Sequence, residues 1–255
     1  MTNPSFSLGG RKALVTGASR GIGEALAVGL AHAGADVAVA AREQSSLETA
    51  ETAVAATGHR AIAIAIDVRD AAAVRAGVDK AAQALGGLDI LVNNAGVEEV
   101  RDSLAVDEAL WNRIVDTNLK GAFFCAQAAA RIMAAAKGGA IVNVCSLTSE
   151  VGVPAAVPYG SSKSGLLGMT RALAAEWAGK GIRVNGIGPG YFRTDLTEVF
   201  YRDEKWQQAM LAKIPLRRFG RLQDLVGAAV FLCSDAAAYV TGQCLYVDGG
   251  YLASI

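Results

Sequence analysis

Seven short apolar runs punctuate this chain at fairly regular intervals: KALVTG, ADVAVAA, RAIAIAIDV, LDILVNNAG, GAIVNVCS, IRVNGIGPG and CLYVDGG, with alanine-rich stretches of helical character between them. That rhythm leaves few architectures open. Successive parallel strands need crossover connections of a dozen or more residues, and helices supply them. Most of the runs are apolar at consecutive positions instead of alternating, the pattern of strands covered on both faces. The expectation is an α/β chain, one domain over residues 1–255, built on a doubly wound parallel seven-stranded sheet with helices on both faces.

Composition narrows the function classes. A chain of 255 residues, 52% of them hydrophobic, can bury a large core, and no Pro/Ser-rich linker or internal repeat divides it. Its 24 Lys and Arg balance 24 Asp and Glu, so no general electrostatic pull toward nucleic acid or an anionic membrane is expected. No leader-like start and no apolar run of about 18 residues is present, which reads as a cytoplasmic protein. Cys125, Cys145, Cys233 and Cys244 are far apart without a C-x-x-C, and His32 and His59 lack ligand-spaced partners, so no metal site is expected. Residues 191–217 break the rhythm with amphipathic helical turns between the sixth and seventh strands and read as a lid over a pocket.

TGASRGIG, residues 16–23, follows the first strand and opens the first helix. Gly17, Gly21 and Gly23 allow tight turning and close backbone approach, and helix-terminal N–H groups suit a pyrophosphate; a glycine-rich surface turn is the plainer alternative. Further on, YGSSK sets Tyr159 and Lys163 four residues apart. On a helix they share a face, where a nearby ammonium favours the phenolate and brings a group that titrates near pH ~10 toward general acid-base use. Solvated helices also carry such pairs.

Taken together, TGASRGIG, Asp67-Val68, NNAG at 93–96, Asn118, Ser146, YGSSK and Pro189-Gly190 resemble, in order and spacing, the short-chain dehydrogenase/reductases, with the fold of a Rossmann-type sheet. The resemblance covers nearly the whole chain. It implies that Tyr159 is the general acid for carbonyl reduction and the base for alcohol oxidation. Lys163 then lowers the tyrosine pKa and holds a ribose, Ser146 donates to the substrate oxygen, and Asn118 holds a water leading from Lys163 to solvent. It further implies a dinucleotide site made of Gly17, Ser19, Arg20, Gly21, Ile22, Gly23, Arg42, Asp67, Val68, Asn94, Ala95, Gly96, Pro189, Gly190 and Thr194 with Tyr159 and Lys163. The substrate would be a small ketone or alcohol.

Within that resemblance, the closest look is to gluconate 5-dehydrogenase-like members, with carrier-linked 3-oxoacyl reductases sharing the skeleton. In the latter, Lys137 and Lys180 would hold an acidic carrier; exposed turn lysines are the alternative. A noncatalytic dinucleotide-binding regulator is disfavoured by the intact tyrosine. Residue 41, where NAD-preferring relatives place an acid, is alanine, and Arg42 and Arg20 stand ready for a 2′-phosphate, so the expected cofactor is NADP(H). Expected substrate-side residues are Glu98, Glu150 and Tyr191 with Ser146 and Tyr159. Glu98, Glu99 and Glu150 would discourage anions, with Arg101 and Arg193 the nearby cations, and Tyr191, Phe192, Val199, Phe200, Tyr201 and Trp206 would form an aromatic wall. A homotetramer is expected from the family, paired through long helices over about 107–136 and 158–179, both alanine-rich.

Overall fold

The computed structural model describes residues 5–194 and 200–255. Strands β1 (Lys12–Thr16), β2 (Asp36–Ala41), β3 (Ala61–Ala65), β4 (Ile90–Asn93), β5 (Gly139–Val144), β6 (Ile182–Pro189) and β7 (Cys244–Val247) form one sheet. Their order is β3-β2-β1-β4-β5-β6-β7, and every neighbouring pair is parallel. Leu14 and Val15, Ala38 and Val39, Leu91 and Val92, and Ile141 and Val142 are all fully buried, although successive side chains point to opposite faces. The sheet is therefore covered on both sides, which is why its strands do not alternate in polarity.

One layer consists of α1 (Gly21–His32), α2 (Glu48–Ala55) and α8 (Gln223–Cys233), whose Leu26, Leu30, Val54, Leu225 and Leu232 pack on Val15, Val39 and Val142. The other contains α3 (Ala71–Leu85), α5 (Gly121–Ala135) and α6 (Val157–Trp177), which press Val74, Val78, Ala129, Met133, Leu173 and Trp177 onto Leu14, Leu91 and Ile141. Local capping sets where helices begin: Asp70 accepts from the N–H groups of Ala72 and Ala73 at the start of α3. The chain winds outward from β1 to β3, then returns past β1 and winds the other way from β4 to β7. A crevice opens beyond the carboxyl ends of β1 and β4, where that direction reverses.

One expected element differs. The helix anticipated over residues 107–136 is divided: α4 (Glu108–Val115) passes into a wide π turn, Asp116–Lys120, before α5 resumes. A turn widened by one residue throws a side chain off the helical register. Here that side chain is Asn118, 1% exposed. Of the lid segment, residues 195–199, including Val199, lie outside the described residues. In the remainder, Phe200–Arg202 form a short helical turn and α7 (Glu204–Lys213) is capped by the Asp203 carboxylate, which accepts from the N–H groups of Lys205 and Trp206. No helix among the described residues is long and apolar enough to cross a membrane, and no three potential metal ligands gather among them.

Candidate active site

A cavity of about 700 Å³ occupies the crevice at the carboxyl ends of the strands, and the glycine-rich turn forms its floor. Gly17 has φ +64°, and a Cβ there would lie 2.7 Å from Ala95 Cα; at Gly23 it would lie 2.3 Å from the Gly17 carbonyl oxygen. Neither position tolerates a side chain, so the loop after β1 can nest against the loop after β4. Thr16 and Asn94 stitch those loops together. The Thr16 hydroxyl accepts from the backbone N–H groups of Asn94 and Ala95, while Asn94 Nδ2 donates to the carbonyls of Thr16 and Gly17. At the start of α1, Arg20 occupies the N-cap position without a side-chain cap bond. First-turn N–H groups left in this way make a ready anion site.

Ser146, Tyr159 and Lys163 line the same cavity. Ser146 follows β5 directly and caps the short turn Leu147–Ser149, accepting from Thr148 N–H, so it is both a cap and a cavity residue. Tyr159 and Lys163 lie one turn apart near the start of α6, and the Lys163 ammonium is 5.6 Å from the tyrosine ring centroid. That ammonium is buried and donates to the Val144 carbonyl oxygen at 2.6 Å. The expected lowering of the tyrosine by lysine is not what this geometry gives. Burial, with the Glu98 carboxylate adding to it, pushes the Tyr159 phenol well above its ordinary range, and a hydrogen bond with Ser146 pulls it back only in part. Burial likewise pushes Lys163 down, opposed by Cys145 and Glu98.

Asn118 does not line the cavity. Its Oδ1 accepts from Val97 N–H at 2.8 Å, and its Nδ2 donates to the Val97 carbonyl at 2.9 Å and to Ser162 Oγ at 3.1 Å. Both side-chain groups thus clamp the loop after β4. A Cβ at Gly96 would approach Asn118 Oδ1 to 3.5 Å and Lys163 Nζ to 3.8 Å, so glycine at 96 keeps the space between those two groups open.

Toward the edge of the sheet, Ala41, Arg42, Asp67, Val68 and Arg20 all border the cavity, as do Ser19, Ile22, Ala95, Pro189, Gly190 and Thr194. Sequence reasoning missed Arg69. Its guanidinium clamps the Asp67 carboxylate, with the closest contact at 2.6 Å, and holds that acid at about 2, Arg42 adding a smaller pull. The D-x-R spacing was the available signal.

On the substrate side, Tyr191, Phe192, Tyr201 and Trp206 do line the cavity, with Tyr191 and Tyr201 set edge-on to the Trp206 ring. Glu98 lines it too, and burial raises its carboxyl above the ordinary range. Glu150 does not. The turn begun by Ser146 carries residue 150 outward, where its carboxylate accepts from the Tyr246 hydroxyl at 3.0 Å and lies 3.9 Å from Arg171. Glu99 is taken up by Arg101 and Arg113. Arg113, which sequence reasoning also missed, borders the cavity, whereas Arg101 and Arg193 are not among the residues lining it.

A doubly wound sheet with an anion cradle at its switch point and a serine, tyrosine and lysine beyond it is the framework of a dinucleotide-dependent oxidoreductase. Known proteins agree. A family model described as enoyl-(acyl carrier protein) reductase matches residues 17–252. Gluconate 5-dehydrogenase of Gluconobacter oxydans is 41% identical over the full length of both chains. A crystal structure described as a short-chain alcohol dehydrogenase from Sinorhizobium meliloti 1021 superposes with TM-score 0.97 at 67% identity, covering 99% of this chain and all of that one. The structure of a gluconate 5-dehydrogenase from Burkholderia cenocepacia J2315, in complex with NADP and tartrate, gives TM-score 0.95 at 39% identity over 98% of each. The chain belongs to the short-chain dehydrogenase/reductase family and is an oxidoreductase.

Proposed function

We propose that this protein interconverts a ketone and a secondary alcohol with NADP(H), Tyr159 being the general acid and base. The reading is carried by Ser146, Tyr159 and Lys163 lining one cavity together with a glycine cradle. Residues present suit the dinucleotide: Gly17, Ser19, Arg20 and the first turn of α1 would take the pyrophosphate, Arg20 and Arg42 a 2′-phosphate, Asp67 and Val68 the adenine, and Thr194 with Lys163 the nicotinamide end. When bound, that group supplies or accepts the hydride. In the reduction direction, Ser146 Oγ–H donates to the carbonyl oxygen and steadies its developing charge, and the Tyr159 phenol gives that oxygen its proton. Lys163 supplies positive charge beside the tyrosine, and the space beside Gly96 offers a path for the replacement proton toward Asn118.

Gluconate chemistry is the second reading, favoured by the 41% identity to the Gluconobacter enzyme. Against it stands one carboxylate inside the cavity, Glu98, together with the aromatic wall. Carrier-linked chemistry has less support, because Lys137 and Lys180 precede the amino ends of β5 and β6. They are removed from Ser146 by a strand length of roughly 20 Å at about 3.3 Å per residue. Following NADPH absorbance with a ketone panel decides among them. Neutral aryl or alkyl ketones are expected to give kcat/KM about tenfold above 5-ketogluconate, and the reverse order would install the gluconate reading.

We also propose a homotetramer, paired through α4, α5 and α6. Trp111 on α4 is 39% exposed and Leu104 just before it 97%, apolar surface that association would cover. Light scattering at micromolar concentration should return about four times the chain mass, and a monomer would refute the assembly.

A further inference from the structure

Glu98 is a charged cavity residue that proton and hydride transfer leave without a task. It is not a loose loop residue. Its predecessor Val97 is clamped through both backbone groups by Asn118, and its successor Glu99 is held between Arg101 and Arg113. The two fixed neighbours direct Glu98 into the cavity with Ser146, Tyr159 and Lys163, close enough for its charge to act on both the tyrosine and the lysine. No hydrogen bond or ion pair is made by its carboxylate among the described residues. Lys163 is the cation whose charge reaches it, but that ammonium donates its hydrogen bond to the Val144 carbonyl, and Arg113 in the cavity wall is engaged by Glu99. A half-buried carboxylate that makes no hydrogen bond, in a cavity walled by aromatic rings, gains from a hydrogen-bonding partner that arrives with the ligand.

We infer that Glu98 selects substrates bearing an ammonium or comparable cationic hydrogen-bond donor near the ketone, pairing with it while Tyr191, Tyr201 and Trp206 enclose the cationic end. This deepens, and rests on, the ketone-reduction reading. A charge-assisted hydrogen bond formed out of water, aided by ring faces, is worth at least about tenfold in affinity over a neutral isostere. The same carboxylate excludes anions, which explains in one residue why a relative of gluconate enzymes would turn to different substrates.

The test compares 4-(dimethylammonio)butan-2-one with its uncharged isostere 5-methylhexan-2-one and with 4-oxopentanoate, in the parent, Glu98→Gln and Glu98→Asp. Two readouts are taken: kcat/KM with NADPH, and calorimetric affinity of the NADPH-loaded protein for the two corresponding alcohols, the ammonium one and its isostere. The parent should prefer cation over isostere about tenfold or more in both, with the anion poorest. Glu98→Gln should bring the cation-to-isostere ratio within about twofold of one, and Glu98→Asp should restore part of it. A parent ratio near one, or a ratio that Glu98→Gln leaves intact, overturns the inference even if ketones are reduced. A cation preference in the calorimetry that Glu98→Gln abolishes sustains it even if no ketone turns over, in which case the reaction reading alone has failed. Unaltered NADPH affinity in the variants confirms that they fold.

Discussion

Tyr159→Phe is expected to lower kcat for ketone reduction by about 10³-fold while NADPH affinity changes by less than about threefold. The substitution removes one oxygen and keeps the ring, so the 5.6 Å contact with the Lys163 ammonium survives and only proton transfer is lost. Titration direction adds a second check. Because burial and Glu98 hold the phenol well above its usual range, the proton-donating form prevails through neutral pH. Reduction should therefore stay flat across neutral pH, and alcohol oxidation, which needs the phenolate, should climb as pH rises. Stopped-flow rates across pH with one good ketone and its alcohol measure both; near-parental turnover in the phenylalanine variant would remove Tyr159 from the mechanism.

Ala41→Asp should exchange cofactor preference, weakening NADPH by about 10²-fold and strengthening NADH several-fold. Ala41 ends β2, in register with Ala65 of β3, and borders the cavity beside Arg42 and Arg20. A carboxylate introduced there would meet a 2′-phosphate as like charge and would accept from a 2′-hydroxyl instead. Asp67 stands nearby but is already occupied by Arg69, which leaves Arg42 available to an incoming anion. Paired calorimetric titrations read the outcome, and equal affinity of the parent for both cofactors would show that residue 41 does not discriminate.

Much of this site was legible before any coordinates, for a specific reason. Buried parallel strands write themselves as unbroken apolar runs, so TGASRGIG could be placed at the carboxyl end of β1 and Ser146 at that of β5, while the resemblance to the family tied the helical YGSSK to the same place. The lid was less legible, because nothing in its sequence states which of its aromatic residues turn inward; Tyr191, Phe192, Tyr201 and Trp206 do. Arg69 and Arg113 were passed over because a surface arginine and a cavity arginine look alike until the fold sets them beside Asp67 and Glu99.

Sequence by itself determined the α/β class and the seven strands, since apolar period and spacing are properties of a few adjacent residues, whereas the glycine-rich turn, the serine, the tyrosine and the lysine stood out through their resemblance to the family. Tertiary structure decided what those residues face. A π turn drew Asn118 away from the cavity to clamp Val97, a short turn after Ser146 sent Glu150 out to Tyr246, and two arginines neutralised Glu99 while Glu98 was left inside. Burial then outweighed the hydrogen bond with Ser146 and raised Tyr159. Each of these depends on groups brought together from distant parts of the chain and on the water their packing removes, and neither is encoded in local spacing.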